Sequence, residues 1–221
     1  MNRRLAVDIA VPLLAVCLLV AVAFGLSGVW PPLVAVESDS MAPGVERGDL
    51  VVVTDTERYP AGGLVGSHDP AAEGTSERLG GPGDVVVFSP PDSDDPPILH
   101  RVAFAVEAGE DWTERATDDR LSSDCGDLRH CPAPHDGYVT YGDANGEYDQ
   151  SAGIAPVVRE DWIHAKAQFH IPSLGWARIA ADAAIIRLGA NGVLVAGIGI
   201  GAIVGGSFAV LAGRVADRRK E

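Results

Sequence analysis

Two long apolar segments frame this chain of 221 residues, one near each end. The first, residues 9–29, carries no charge and follows Arg3 and Arg4, and the second spans residues 188–213. Each is long enough for a helix that crosses a bilayer, which needs about 20 apolar residues. We therefore predict two transmembrane helices, with the rest of the chain forming one domain between them.

Basic residues follow the second apolar segment just as they precede the first. The positive-inside rule then places both termini in the cytoplasm and the domain outside the cell membrane. A cleavable signal peptide is the alternative for the first segment, but its apolar core usually spans only about 7 to 15 residues. The predicted parts are a cytoplasmic N-terminus and anchor (1–32), an extracytoplasmic domain (33–176), an interfacial amphipathic lead-in helix (177–187), a second transmembrane helix (188–213) and a basic cytoplasmic tail (214–221).

Short apolar runs recur between these segments, each bounded by glycine, proline or acidic turns, a pattern typical of β-strands. No helical period separates the runs, so we predict a mainly β domain built on an antiparallel sheet. Residues 55–80, rich in glycine, and residues 107–136, rich in acids, are predicted to be surface loops. The runs are 50–54, 84–88, 98–106, 138–141 and 162–170, the last with Ile163, Ala165, Ala167 and Phe169 alternating with polar residues.

The predicted outer domain is strongly acidic. Residues 33–175 contain 27 aspartates and glutamates against 9 lysines and arginines, which argues against nucleic acid as a partner. The whole chain has two lysines, Lys166 and Lys220. An acid-rich, lysine-poor surface is typical of proteins from very salty surroundings, and an ordinary acidic exported domain is the alternative interpretation.

Two cysteines, Cys125 and Cys131, lie on the predicted outer side of the membrane, where disulfides form. His130 and His135 lie close by, so the four residues also have the composition of a metal site. Metal ligands usually come as pairs from separated segments, whereas these four fall within 11 residues. A disulfide is favoured, and free thiols or a metal site stay open at this point.

Residue types for nucleophilic catalysis occur in three separate segments of the domain. Ser40 lies just beyond the first apolar segment, His100 lies in a predicted strand, and Asp143 and Asp149 follow in a glycine-containing stretch. A serine hydroxyl needs a base to take its proton, and the base needs an acid that orients it. These residues form a candidate Ser-His-Asp set, although such acids also commonly build turns.

Four motifs in this order resemble type I signal peptidases of the archaeal and endoplasmic-reticulum kind. They are Ser38-x-Ser40-Met41-x-Pro43 with Gly48-Asp49, Gly83-Asp84-Val85-Val86-Val87-Phe88, His100-Arg101, and Gly142-Asp143-Ala144-Asn145 with Asp149. The resemblance covers most of residues 36–176 and implies an antiparallel catalytic domain of signal-peptidase type. The stretches 55–80 and 107–136 depart from the family pattern.

The resemblance implies that Ser40 is the nucleophile and that His100 is the base, in the place where bacterial members carry a lysine. Lys166 is the single lysine of the outer domain, and a neutral imidazole is a usable base near neutral pH. Asp149 is favoured over Asp143 as the acid that orients His100.

The oxyanion donors implied by the resemblance are the backbone N–H of Ser40 and the hydroxyl of Ser38. Met41 and Pro43 are expected to fix the turn and to line the substrate-binding site. Neither a metal nor a cofactor is expected. Asp49, Asp84 and Arg101 are expected to support the fold.

The function implied is that of a membrane-bound serine endopeptidase that removes signal peptides from exported preproteins, after small residues in the Ala-x-Ala manner. Its expected partners are these preproteins and the lipid bilayer, and a contact with the protein translocation machinery stays open. One alternative is an inactive membrane-anchored binding subunit. Another is a peptidase dedicated to pilin-like or surface-protein precursors.

Overall fold

The structure is a computed structural model that describes residues 3–59, 63–69, 78–91, 93 and 95–188. Residues 26–176 form one compact unit, which includes the whole of the predicted domain. This unit is built on a six-stranded antiparallel sheet, so the prediction of a mainly β domain is confirmed. The predicted basic tail, and all but the first residue of the predicted second transmembrane helix, lie outside the described residues.

Two α-helices flank the sheet unit along the chain. Helix α1, Arg3–Ser27, contains the stretch Ala10–Ser27, which is long and apolar enough to cross a membrane. It is consistent with the predicted anchor at this end of the chain. Helix α2, Gly175–Leu188, covers the segment predicted as a lead-in helix.

The sheet has the strand order β1-β2-β6-β3-β4-β5, and each neighbouring pair is antiparallel. Five of the six strands coincide with the apolar runs of the sequence to within about one residue. Strand β1 was not predicted, because three residues are too few to show an alternating pattern. The strands are β1 Leu33–Ala35, β2 Leu50–Thr54, β3 Val85–Phe88, β4 Ile98–Val106, β5 Gly137–Tyr141 and β6 Ile163–Ile171.

A β-bulge corrects the predicted face of β6. The sequence places Ala165, Ala167 and Phe169 on one buried face, but the Phe169 side chain is 55% exposed. Val53 pairs with Ala167 while the adjacent Val52 pairs with Phe169, so β6 contributes one extra residue here. Because side chains alternate with a period of two, this one-residue shift turns the following side chains to the opposite face.

The acidic loop, residues 107–136, is more than the solvated surface loop that we predicted. It forms three short 3₁₀ turns, and it buries Trp112, Leu128 and Ala133 in one hydrophobic cluster with residues of β4 and β5. A disulfide joins Cys125 to Cys131, with 5.0 Å between their Cα atoms. Both sulfurs are therefore bonded to each other and are not thiolates that could bind a metal.

One described part of the other predicted loop, residues 63–69, also lies against the sheet. The backbone N–H groups of Ser67 and His68 donate to the carbonyl oxygens of Val102 and Ala103 in β4. The N–H of Asp84, just before β3, donates to the carbonyl of Val65. This segment thus satisfies backbone groups where β3 and β4 diverge, which a surface loop would leave to water.

Candidate active site

Ser40 lies in the turn between β1 and β2, residues 36–49, here called the serine turn. The turn is closed by backbone hydrogen bonds from Val36 N–H to Asp49 O and from Gly48 N–H to Val36 O. Gly48 has a φ of +92°, which only glycine adopts without strain. A Cβ at this position would also collide with the Trp176 indole, so the turn depends on glycine twice over.

The residue after the serine anchors the serine turn in the core. Met41 is 1% exposed and packs in the same cluster as Val45 and Val51, while its carbonyl accepts a hydrogen bond from Val45 N–H at 3.0 Å. This burial does not test the expectation that Met41 lines the substrate-binding site, which stays a prediction. It does hold the backbone rigidly beside a Ser40 side chain that stays partly exposed.

Asp49 ties the base of the serine turn to the segment that leads into α2. Its carboxylate accepts hydrogen bonds from the N–H groups of Ser173 and Glu46 and lies 2.8 Å from Nδ1 of His170. Burial acts to raise the pKa of Asp49, but these donors outweigh it, and the pKa is lowered below its ordinary value. Asp49 therefore supports the fold, as its place in the motif led us to expect.

His100 and Asp149 form a buried pair at the centre of the candidate site. His100 is 4% exposed on β4, and its Nδ1 lies 2.9 and 2.8 Å from the two carboxylate oxygens of the fully buried Asp149. The hydroxyl of Thr140 on β5 donates to the same carboxylate at 2.7 Å. An ionised carboxylate only accepts hydrogen bonds, so beside one Nδ1 is the donor, and in a neutral ring Nε2 is then the acceptor.

The turn at residues 142–148, here called the Gly142 turn, brings the serine turn and His100 together. The N–H of Ala144 donates to the Ser40 carbonyl oxygen at 2.9 Å. A Cβ placed on Gly142 would lie 2.6 Å from that oxygen and 2.9 Å from Nε2 of His100. The backbone of Ser40 and the basic nitrogen of His100 therefore face the same small space, which only a glycine leaves open.

The two serine hydroxyls of the serine turn are neighbours. Within the described residues, the hydrogen bond that Ser40 Oγ makes is with Ser38 Oγ, at 3.2 Å, rather than with the imidazole. Catalytic hydrogen bonds are often long or unformed before substrate binds. A rotation of Ser40 about χ1 between staggered positions is the motion that would redirect its oxygen.

Asp143 makes different contacts from Asp149. Its carboxylate binds the guanidinium of Arg101 in a bidentate manner, with distances of 2.8 and 2.6 Å. Arg101 is 1% exposed, and its remaining N–H groups donate to carbonyl oxygens of the segment before β3, those of Arg78, Leu79, Gly81, Pro82 and Gly83. Asp143 thus fixes the Gly142 turn to the body of the unit, whereas Asp149 orients the imidazole.

Lys166 is another residue that could act as a base, and it lies in a different environment. Its side chain is fully buried on β6, with Nζ 3.5 Å from the carbonyl oxygen of Gly63. Burial lowers the pKa of Lys166, and the nearby negative charge of Asp84 opposes this effect. The serine turn is hydrogen-bonded to the Gly142 turn through Ala144 N–H and Ser40 O, and Gly142 lies against both that oxygen and Nε2 of His100.

Sequence reasoning missed two residues that complete the site. Thr140 holds the Asp149 carboxylate, and a single threonine in a predicted strand gives no signal of such a role. Gly142 was part of a recognised motif, but its role was visible only when the close approach of Ser40 and His100 was known.

Neither a protein-family model nor a curated protein sequence matches this chain. A partly exposed hydroxyl, an imidazole with its acceptor nitrogen facing the same space, and a buried carboxylate behind that imidazole are the components of nucleophilic acyl transfer.

Proposed function

We propose that this protein is a membrane-bound serine endopeptidase that removes signal peptides from exported preproteins. The observation that carries the proposal is the buried His100–Asp149 pair, whose free Nε2 faces the backbone of Ser40 across Gly142. The position of Ser40 soon after an apolar helix, together with the order of the motifs, favours signal peptides over other peptide substrates.

In the acylation step, Ser40 Oγ attacks the carbonyl carbon of the scissile peptide bond while Nε2 of His100 takes its proton. Asp149 stabilises the imidazolium that forms, and Thr140 keeps the carboxylate in place. The tetrahedral oxyanion is stabilised by the N–H of Ser40 and the hydroxyl of Ser38, and one such donor is typically worth about 10²- to 10³-fold in rate.

Collapse of this intermediate breaks the C–N bond, and His100 passes the proton to the leaving amine of the mature protein. The signal peptide then remains as an ester on Ser40. In the second step His100 takes a proton from water, the resulting hydroxide attacks the ester carbonyl, and the signal peptide leaves with a free carboxylate. The proton returns to Ser40 Oγ, so the enzyme is regenerated.

Apolar side chains on β1, β2 and β6 support a site that works at a membrane surface. Leu33 pairs with Val52, which pairs with Phe169, so the three lie across one face of the sheet, and both Leu33 and Phe169 are exposed. Trp30 and Trp176, also exposed, lie at the two chain ends of the unit. Tryptophan is favoured at the interface between bilayer and water.

The length of chain before Ser40 agrees with this placement. Ser40 follows the end of the first apolar segment by 11 residues, and an extended chain spans at most about 3.5 Å per residue. The nucleophile is thus held within roughly 40 Å of the membrane edge, where the cleavage site of a translocated signal peptide emerges.

The decisive experiment incubates the detergent-purified full chain with a labelled preprotein and reads the new N-terminus of the product. Wild type should cut after a small residue, and Ser40→Ala should lower the rate by about 10⁴-fold or more while the chain stays folded. Ser123→Ala, which removes an exposed hydroxyl in the acidic loop, is the matched control. Unchanged cleavage by Ser40→Ala would refute the assignment of the nucleophile.

The same assay separates the alternative functions. An inactive binding subunit would retain a labelled preprotein without releasing a new N-terminus. A dedicated peptidase would cut pilin-like or surface-protein precursors and leave an ordinary secretory precursor intact.

A further inference from the structure

The acidic loop encloses the residue that precedes Asp149. Tyr148 is fully buried, and its ring meets the Trp112 ring edge-on with 6.2 Å between centroids. The Tyr148 hydroxyl lies 3.1 Å from the N–H of Thr117 and 3.2 Å from its side-chain oxygen. The acidic loop departs from the pattern of the family that the sequence resembles. It therefore packs against the residue next to the candidate catalytic acid with a segment that this family pattern does not include.

Arg120, in the acidic loop, contacts the Gly142 turn and the residue before it. Its Nη1 donates to the carbonyl oxygen of Asn145 at 2.7 Å, and its own carbonyl accepts the N–H of Tyr148 at 3.3 Å. Its guanidinium also lies over the ring of Tyr141, 4.2 Å from the centroid, directly before the turn begins. A cation stacked on an aromatic face adds to the hydrogen bonds in fixing this geometry.

The Gly142 turn also lies against the candidate catalytic groups. Ala144 holds the Ser40 carbonyl, and Gly142 lies against Nε2 of His100. Asp143 is fixed by the buried Arg101, so two arginines, Arg101 and Arg120, hold the turn. A shift of the turn would therefore change the distance between Ser40 and His100.

From these contacts we infer that Arg120 is a positioning residue for the proposed peptidase: the acidic loop uses it to hold the Gly142 turn, and through this turn Ser40, in place. The inference rests on the proposed function for its kinetic consequence. Its structural consequence, a Gly142 turn that loosens when Arg120 is removed, can be measured without any substrate.

Arg115 provides a matched control within the same loop. Its guanidinium lies over the Phe104 ring, 4.8 Å from the centroid, and Nη1 donates to the carbonyl of Ala105 at 2.7 Å. It thus makes the same kinds of contact as Arg120, a stacked ring and a backbone carbonyl, but it makes them to β4 rather than to the Gly142 turn.

The test compares the full-length wild type with Arg120→Ala, Arg120→Lys and Arg115→Ala in detergent. Arg120→Ala should lower kcat by about tenfold to a hundredfold with KM changed less than about twofold, because a small misplacement costs rate rather than binding. Arg120→Lys should recover part of the loss, since a lysine can still donate to Asn145 O. Arg115→Ala should cut at the wild-type rate.

Amide hydrogen exchange supplies the readout that is independent of activity. We expect the exchange rate of residues 142–148 to rise by about tenfold in Arg120→Ala, with little change in the strands of the sheet. In Arg115→Ala the exchange rate of residues 142–148 should change little. Wild-type kcat in Arg120→Ala, equal losses in the two alanine variants, or a uniform rise in exchange across the unit would each overturn the inference. If the wild type proves to cut no preprotein, the proposed function fails, and local exchange still decides whether Arg120 holds the turn.

Discussion

At the scale of single residues, Asp143 and Asp149 lie six positions apart, and their burial and their hydrogen-bond partners give them different roles. Asp149 faces an imidazole, which gains a positive charge when it takes a proton on Nε2, and a hydroxyl that donates to its carboxylate. Asp143 faces the guanidinium of Arg101, which does not lose its proton in proteins. This pair therefore cannot take part in proton transfer. One acid can therefore serve chemistry, while the other serves the geometry of a turn.

This difference predicts opposite phenotypes for two equivalent substitutions. Asp149→Asn should lower turnover by about 10³- to 10⁴-fold with little loss of stability, because the amide no longer holds His100 in the right tautomer. Asp143→Asn should lower the unfolding free energy by about 3 kcal/mol, because it leaves the charge of the buried Arg101 without its partner. Turnover on a labelled preprotein and urea unfolding, measured for both variants, check the contrast.

The ranking of the two acids would be reversed by the opposite outcome, a large loss of turnover in Asp143→Asn and a near-normal rate in Asp149→Asn. Wild-type rates for both variants would remove the acid from the proposed mechanism altogether.

At the scale of elements, the acidic loop shows how a segment without a strand gains a fixed structure. It contributes Trp112, Leu128 and Ala133 to a hydrophobic cluster, and the disulfide closes its far end. The indole N–H of Trp112 donates to the carbonyl of His130 at 2.9 Å, which joins the two halves of the loop. The loop is thus a packed part of the fold rather than a flexible connection.

The disulfide should contribute measurably to this packing. It links residues 6 positions apart, and closing so short a loop limits the unfolded chain enough to stabilise the native state by about 2 kcal/mol. The double variant Cys125→Ser/Cys131→Ser should therefore unfold at a lower urea concentration, followed by tryptophan fluorescence. Cys17→Ser, which changes the free cysteine of α1, is the control, and an unchanged midpoint in the double variant would contradict the expectation.

The elements differ in how far the sequence could predict them. Strands β2 to β6 followed from apolar runs between turn residues, because such runs report local structure directly. The exposure of Phe169 and the enclosure of Tyr148 did not follow, because both depend on partners distant in the chain. The same holds for the site: Ser40, His100 and the two acids came from motifs, whereas Thr140, Gly142 and Arg120 act through contacts that the motifs do not contain.

At the scale of the whole molecule, a net charge of −14 makes the response of the acids to pH important for stability. Within the part of the chain that the structure describes, most carboxylates lie on the surface, where salt screens their interactions. Asp49 is different, because it is buried at the junction of the serine turn and the segment before α2. Its ionisation therefore links the start and the end of the sheet unit.

Asp49 should make the unit less stable in acid, and the sign follows from the direction of its pKa shift. Burial raises the pKa of Asp49, but the N–H groups of Ser173 and Glu46 and the His170 ring lower it by more, so the folded-state pKa lies below the ordinary value. A lowered pKa means that the carboxylate stabilises the fold at every pH above its unfolded pKa of about 3.9. This contribution is lost as pH falls through the folded-state pKa.

The measurement is the difference in unfolding free energy between wild type and Asp49→Asn as a function of pH. That difference should shrink as pH falls below about 4, where the wild-type carboxylate takes up its proton. Asp124→Asn removes one exposed negative charge and controls for the change in net charge. A difference that stays constant down to pH 2, or one that grows in acid, would mean that the ionised Asp49 does not hold the serine turn to the segment before α2. This junction would then depend on packing around Gly48 and Trp176 instead.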